Sequence, residues 1–401
     1  MEFRKISTDS DFEQFSEVSS FAFGIKADFN QKIIELLRKA EEKGKLTGYG
    51  AFEGEKLISA LLIFNFDMHF RNSLLPMGGI AFVCSRPEYR GKGYIRNLLI
   101  KSIEIMDKNG QVVSTLYPFS INFYRKYGWE LFEVAKSVRI SAASIMDFDM
   151  EGYTFEIAKT ADRDSVNFYN ELVNYKYNLT LRDEWTWNNW ILKSFNVGDL
   201  RETEITRQLL KVFKNEELVA LAPFSYLRDG EGKNRIRVSH IATSDYDHLR
   251  AVLGFLKGLS HQFSEFDLFL PMDLNINMFL KERSIKQDIR ELAMLRIVNL
   301  EKLSNLKIKS ADFSFVIKII DKNASWNDDV FEVSSKENTL AVVKTDKIPQ
   351  LEMDIKTAAA VFSGFVSLKE AVDLKLVKKL SDVKIEEDML PAETTFMVDF
   401  F

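Results

Sequence analysis

One stretch limits the fold of this chain more than any other: Gly79-Ile80-Ala81-Phe82-Val83-Cys84-Ser85-Arg86-Pro87-Glu88-Tyr89-Arg90-Gly91-Lys92-Gly93-Tyr94-Ile95-Arg96. It reads as strand, loop and helix start. Behind the two glycines Ile95, Leu98, Leu99, Ile103 and Met106 recur at helical spacing, so a helix begins near Gly93. A buried strand that passes through a glycine loop into an amphipathic helix builds a sheet with a helix laid on it. The first turn of a helix leaves backbone N–H groups without partners and carries a partial positive charge, so this loop is prepared for a phosphate. Glycine lets the backbone approach that phosphate without a Cβ in the way. A tight surface turn is the plain alternative.

The rest of the chain repeats this alternation. Residues 12–23 and 31–42 read as helices, 48–53 and 57–66 as a hairpin round Gly54-Glu55, and 76–85 as the strand that feeds the loop. A short strand is expected over 112–117. A short helix within Ser120-Ile121-Asn122-Phe123-Tyr124-Arg125-Lys126-Tyr127-Gly128-Trp129 is stopped by glycine. A length of 401 residues is too great for one core. Three segments are expected: 1–145 with the glycine loop, 146–295, and 296–401. The second echoes the first. His240-Ile241-Ala242-Thr243-Ser244-Asp245 precedes a helix as the 79–90 run does, and Ile276-Asn277-Met278-Phe279-Leu280-Lys281 echoes Ile121-Asn122-Phe123-Tyr124-Arg125-Lys126. Two matches in the same order, about 160 and 155 residues apart, point to a duplicated domain. The copy lacks the Gly-x-Gly and has Phe279 where Tyr124 offers a hydroxyl. It reads as a structural domain that has lost the cofactor, leaving one phosphate-ready loop in the chain.

In the third segment strands are expected over 313–320, 330–334 and 339–344, then a small-residue stretch over 354–365 and two later helices. The chain stops on Phe400-Phe401, and an apolar terminus of this kind is docked rather than frayed. A formal net charge of −5 disfavours a global grip on nucleic acid or an anionic membrane. Cys84 is the single cysteine and the four histidines show no ligand spacing, so neither a disulfide framework nor a metal site is expected. No run approaches the ~20 apolar residues of a membrane span, and Met1-Glu2-Phe3-Arg4-Lys5 has no signal core. A reducing cytoplasm is the expected location.

At the glycine loop the chain resembles the GNAT acyltransferases, whose acetyl-CoA loop runs Arg/Gln-x-x-Gly-x-Gly/Ala. Arg90-Gly91-Lys92-Gly93-Tyr94-Ile95 follows it, with Ile95 in the final small position. With a degenerate second copy, Tyr124 in a Phe-Tyr-Arg-Lys-Tyr-Gly-Trp run and a terminal phenylalanine, the whole chain is similar to the Eis family. That family carries a third domain like sterol carrier protein, with which Ala324-Ser325-Trp326-Asn327 and Phe331 are consistent. The resemblance implies two tandem GNAT-like mixed-sheet domains followed by a sterol-carrier-protein-like α+β domain. It implies an acetyl-CoA-dependent N-acetyltransferase, with Tyr124 as general acid and the C-terminal carboxylate of Phe401 as general base. A homo-oligomer, trimer or hexamer, is also implied.

The chemistry assigns tasks. Backbone N–H groups of Val83, Cys84 and Ser85 face the pantetheine and carbonyl; Arg90, Gly91, Lys92, Gly93, Tyr94, Ile95 and Arg96 face the pyrophosphate; Phe119 and Ser120 complete the cofactor site. The Cys84 side chain reads as a buried small hydrophobe, not a nucleophile. Tyr124, with an ordinary pKa near 10, can protonate a departing thiolate, or is simply a core aromatic. The Phe401 carboxylate, ordinarily near about 3.5, becomes a better base if Phe396, Phe400 and Phe401 bury it. Alternatively it only orients the ammonium, or the terminus is merely an apolar anchor. Asp28, Phe23 and Phe400 are the candidate acceptor-binding residues; the aromatics of the first segment, Phe21, Phe23, Phe29, Phe64 and Phe66, are mostly core by default, with a few of them available to line an acceptor pocket. The acceptor is expected to be a small-molecule or peptide amine: polyamine, aminoglycoside-like cation or lysine. A non-catalytic CoA- or lipid-binding module is the rival.

Overall fold

A near-continuous apolar run, Leu57 to Phe64, gives the first segment a strand buried on both faces. The computed structural model describes residues 2–174, 177–195, 204–228, 234–399 and 401. Its first part contains β1 (Glu2–Lys5), α1 (Asp9–Phe23), α2 (Ala27–Glu42), β2 (Leu46–Glu53), β3 (Lys56–Phe70), β4 (Ser73–Ser85), α3 (Tyr94–Lys108), β5 (Val113–Leu116), α4 (Ile121–Arg125) and β6 (Glu130–Leu131). Along β3, Leu62 and Phe64 face a core shared with Phe12, Phe15 and Val18 of α1 and with Ile33, Ile34 and Leu37 of α2. Leu61 and Ile63, one residue out of phase, face Leu98, Leu99, Ile103 and Met106 of α3. The period of two thus puts α1 and α2 on one side of the sheet and α3 on the other. Thr8 starts α1 with a capping box closed by Asp11, and Gly24, at φ 66°, ends it.

The second part contains β7 (Val134–Ser141), β8 (Tyr153–Ala158), α5 (Arg163–Val173), α6 (Glu184–Thr186), β9 (Lys193–Phe195), β10 (Glu204–Thr206), β11 (Gln208–Lys214), β12 (Glu217–Arg228), β13 (Asn234–Val238), α7 (Tyr246–Gly258), β14 (Glu265–Pro271), β15 (Lys286–Glu291) and β16 (Met294–Ile297). The first sheet runs β1-β2-β3-β4-β5-β16-β6 and the second β8-β11-β12-β13-β14-β7-β15. The two orders match strand for strand. Each holds one parallel pair, β4 with β5 and β13 with β14, bridged by a helix, α3 or α7. The duplication expected from the echoes is therefore present in the topology.

Two strands are exchanged between the copies. β7 lies inside the expected first segment yet pairs with β14 and β15 of the second sheet. β16 straddles the expected 295/296 boundary and returns to the first sheet between β5 and β6. The sheets therefore do not divide at residues 145 and 295. Sequence segments cannot reveal this, because a strand of four to eight residues carries no local mark of its partner.

The third part contains β17 (Phe313–Ile320), β18 (Val330–Lys336), β19 (Thr339–Lys344), β20 (Leu351–Asp354), α8 (Ile355–Ser363), α9 (Leu368–Asp373) and β21 (Lys378–Lys379), in sheet order β19-β18-β17-β20-β21. The expected small-residue stretch is α8, started by the Asp354 side chain and stopped by Gly364 at φ 84°. One further helix follows rather than two; β21 takes the place of the second. Ala358, Val361 and Phe362 of α8 share a continuous core with Leu295 and Ile297 of β16 and Val113 of β5. Trp326 Nε1 and Asn327 Nδ2 both donate to the carbonyl of Val298, fixing the link from β16 into this part. No helix among the described residues is long and apolar enough to cross a membrane.

Candidate active site

The site begins with a fault in a strand pair. β3 and β4 pair Leu62 with Ala81 and Ala60 with Cys84, so Phe82 and Val83 together oppose Leu61. This β-bulge holds Phe82 at φ 51°, a conformation that a bulky residue keeps only when its surroundings impose it. β4 and β5 pair in parallel from Met77–Val113 to Ile80–Leu116 and then part. Beyond that point β4 continues on β3 alone while β5 turns into Tyr117-Pro118-Phe119-Ser120. The result is a wedge with the backbone edge of Val83, Cys84 and Ser85 along one side. The Cys84 thiol is buried, and burial pushes its pKa up to about 12, so its side chain is inert as a nucleophile. Ser85 Oγ accepts a hydrogen bond of 2.8 Å from Ser59.

At the mouth of the wedge, residues 87–89 form a short turn that leads to Arg90. Gly91 and Gly93 adopt φ 78° and 85°, and a Cβ on either would meet nothing within 4 Å. Backbone conformation, not space, therefore requires these glycines. α3 starts on Gly93 with no side-chain cap. Its first intrahelical partner is Asn97 N–H on Gly93 O at 3.0 Å, so the N–H groups of Tyr94, Ile95 and Arg96 point out of the helix end. Arg90, Lys92 and Arg96 stand exposed around them. The Lys92 amine also lies 4.7 Å over the Tyr89 ring. The Tyr94 hydroxyl donates to Glu53 and so ties α3 to β2, while the Ile95 side chain packs into the α3 core.

Across the wedge, Ser120 caps α4, its Oγ accepting from Phe123 N–H at 3.4 Å. This short helix buries the Tyr124 ring against Phe119 (5.4 Å), Phe123 (5.2 Å) and Trp129 (6.4 Å). Burial raises the Tyr124 pKa further above its ordinary value, so the phenol is protonated at neutral pH. No described residue hydrogen-bonds its hydroxyl. Phe119 is 72 % exposed and forms an open apolar lip beside it.

From the other face of the sheet comes the end of the chain. The Phe401 ring sits 5.5 Å from Phe64, 5.2 Å from Phe66 and 5.6 Å from Tyr117. It lies directly on Gly79, where a Cβ would come within 2.6 Å of the ring. The tail that brings it there has no regular structure yet is buried, and polar side chains far away in sequence satisfy its backbone. Glu133 Oε1 accepts from Met397 N–H at 2.7 Å, Asn178 Oδ1 accepts from Phe396 N–H at 3.3 Å, and Tyr117 donates to the Asp399 carbonyl at 3.2 Å. The Asp399 carboxylate pairs with Arg182 Nε at 2.7 Å, both side chains at 2 % exposure or less. Burial pushes the Glu133 pKa up to about 8.

Sequence reasoning missed Glu133, Arg182 and Asp399. It also missed Arg296 of β16, which is buried, pairs with Asp321 at 2.5 Å and donates to the Tyr127 carbonyl. Gly128 sits at φ 91°, with Arg296 Nη1 1.7 Å from where its Cβ would stand. The glycine ending the Tyr124 turn was legible; its buried partner was not.

Next to Phe401, between β3 and the second part, lies a cleft of about 310 Å³. Phe64, Phe66, Trp185 and Trp190 line it with Asp67 and Asp183; Asp183 is engaged by Lys45 at 2.8 Å, whereas Asp67 is exposed. Phe64, buried in the core as expected, and Phe66, partly buried against that core, also form walls of this cleft. Of the expected acceptor residues, Phe23 ends α1 with its ring 5.7 Å from Phe82 of the bulge. Asp28 lies in the first turn of α2, and its side chain, like Phe400, falls outside the described residues.

Residues 2–132 match the Acetyltransferase (GNAT) domain and residues 300–398 the Sterol carrier protein domain. No curated protein matches the chain. Among solved structures, a GCN5-related N-acetyltransferase from Anabaena variabilis aligns over 100% of both chains at TM-score 0.82 and 18% identity. A probable N-acyltransferase from Enterococcus faecalis aligns over 100% of this chain and 99% of its own at TM-score 0.83 and 19% identity. Eis1 from Mycobacterium abscessus aligns over 100% of both at TM-score 0.75 and 16% identity. The fold extends over the whole chain, and the expected order of two GNAT-like domains and a sterol-carrier-protein-like domain holds.

Proposed function

We propose that this GNAT acetyltransferase transfers an acetyl group from acetyl-CoA directly to a primary amine. The observation that carries the reading is the uncapped start of α3 behind Gly91 and Gly93, set at the mouth of the β4/β5 wedge. The residues present suit the cofactor. Free helix N–H groups with Arg90, Lys92 and Arg96 match a pyrophosphate, the unpaired edge at Val83 to Ser85 matches an amide-bearing arm, and Phe119 and Ser120 flank the opposite side. Acetyl-CoA bound there supplies the thioester. Tyr124 holds its proton at neutral pH, which supports its role as proton donor to a leaving thiolate. The α-carboxylate of Phe401 is the group assigned to receive the proton of the incoming ammonium.

The aromatic cleft beside Phe401, with Asp67 at its rim, suits a cationic amine, because aromatic faces and carboxylates both attract ammonium. This favours polyamines, aminoglycoside-like cations or lysine side chains as acceptors. The same reading carries a homo-oligomer, trimer or hexamer, and a cytoplasmic location. Two measurements test it. Acetyl-CoA at ~100-fold its Kd should stabilise the protein by about 2.7 kcal/mol in thermal unfolding, and free thiol should then appear on adding spermidine, an aminoglycoside or a lysine peptide. Stabilisation without thiol release would assign the chain to CoA binding alone; no stabilisation would remove the cofactor from it.

A further inference from the structure

The second domain retains the wedge without the loop. Ser239 N–H donates to the Pro223 carbonyl at 2.9 Å and Leu221 bridges Ala242, so His240 and Ile241 bulge from β12 as Phe82 and Val83 do from β3. Past Val238–Leu268, the last β13–β14 pair, the strands part. The wedge between them is a cavity of about 170 Å³, and a dry cavity of about 150 Å³ is enough to bind benzene. Leu172, Leu179, Leu249 and Phe269 make its apolar walls. Phe396 of the C-terminal tail closes it, its ring 5.4 Å from Phe269 and 5.6 Å from Tyr177.

The mouth differs from that of the first wedge in charge. Only Ser244 and Asp245 separate Thr243 from α7, and the Asp245 carboxylate caps that helix by accepting from Asp247 N–H at 2.6 Å. A second carboxylate, Asp273, accepts from the Tyr177 hydroxyl at 3.1 Å. Lys136, which feels the Asp273 charge, spends its amine on the carbonyls of Met272 and Leu274. An anion at this mouth meets carboxylates where the first domain offers N–H groups and arginines.

We propose that this second wedge is a binding site for a small aromatic amine, its ring between the leucines and Phe269 and its ammonium against Asp245. The site stands apart from the acceptor cleft of the first domain, and its failure would leave the acetyltransferase reading untouched. The test titrates the full-length chain with 2-phenylethylamine in a calorimeter, without acetyl-CoA, and compares phenylacetate. Leu172→Trp and Leu274→Phe fill the cavity from two sides; each is checked for a cooperative unfolding transition. Expected results are binding of the amine and at least about tenfold weaker binding of phenylacetate. Each folded variant should also lose at least about tenfold in amine affinity. Hydrogen exchange on the wild-type protein locates the site even if neither variant folds: the amine should slow exchange over residues 240–249. Absence of binding, equal binding of phenylacetate, unchanged affinity in a folded variant, or slowing confined to the first domain would each overturn the proposal.

Discussion

The first and second sheets follow one strand order and keep the same bulge, yet their strand-to-helix passages have diverged. In the first, residues 86–93 separate Ser85 from Tyr94; in the second, two residues separate Thr243 from Tyr246. One passage ends on a glycine that leaves the helix N–H groups open, the other on an aspartate that fills them with its own carboxylate. Strand pairing and the core carry the topology, so a loop can be shortened without disturbing a single pair. The proposed cofactor binding rests on that loop and is the property that can vary.

Five changes would break or sharpen this contrast. The largest effect is expected from extending the chain by a few residues beyond Phe401, which should abolish turnover while leaving acetyl-CoA binding and unfolding temperature unchanged; unaltered turnover would remove the carboxylate from the reaction. Next, Tyr124→Phe should lower kcat by about 10²–10⁴-fold. Its counterpart Phe279→Tyr should change nothing, because no donor loop faces it. Gly93→Ala forces a Cβ onto φ 85° and should cost about 1–2 kcal/mol in stability, measured by denaturant unfolding, together with weaker acetyl-CoA binding. The last effect concerns the tail.

Glu133 is buried with its folded pKa raised from 4.5 to about 8. Between those values the folded state holds a proton that the unfolded state has released, so stability falls as pH rises from about 4.5 to about 8, by at most about 1.4 kcal/mol per pH unit. Glu133→Gln keeps an oxygen for Met397 N–H and should flatten that slope in unfolding experiments across the same window. An unchanged slope would assign the pH dependence elsewhere.

Local signals made the first domain legible. Glycine followed by a helical apolar period marks the loop, and apolar runs broken at Gly54-Glu55 mark β2, β3 and β4, because these depend on residues close in sequence. The strand exchange depends on partners far apart in the chain, such as Arg296 opposite Ser114 and Glu265 opposite Ser141, and leaves no local trace. For the same reason Phe401 was legible as a docked terminus while its supports were not. Arg182 and Asp399 are 217 residues apart, and each reads as an ordinary surface charge until the fold buries both. The second wedge was hidden because its lining comes from α5, the β13–α7 passage, β14 and the tail.

The contrast between the two domains comes down to how many donor molecules one chain holds. Calorimetric titration of the full-length protein with acetyl-CoA measures that number. One equivalent per chain, lost when Gly91 and Gly93 are both replaced by valine, is the predicted result; two equivalents, or one that survives the double replacement, would contradict it.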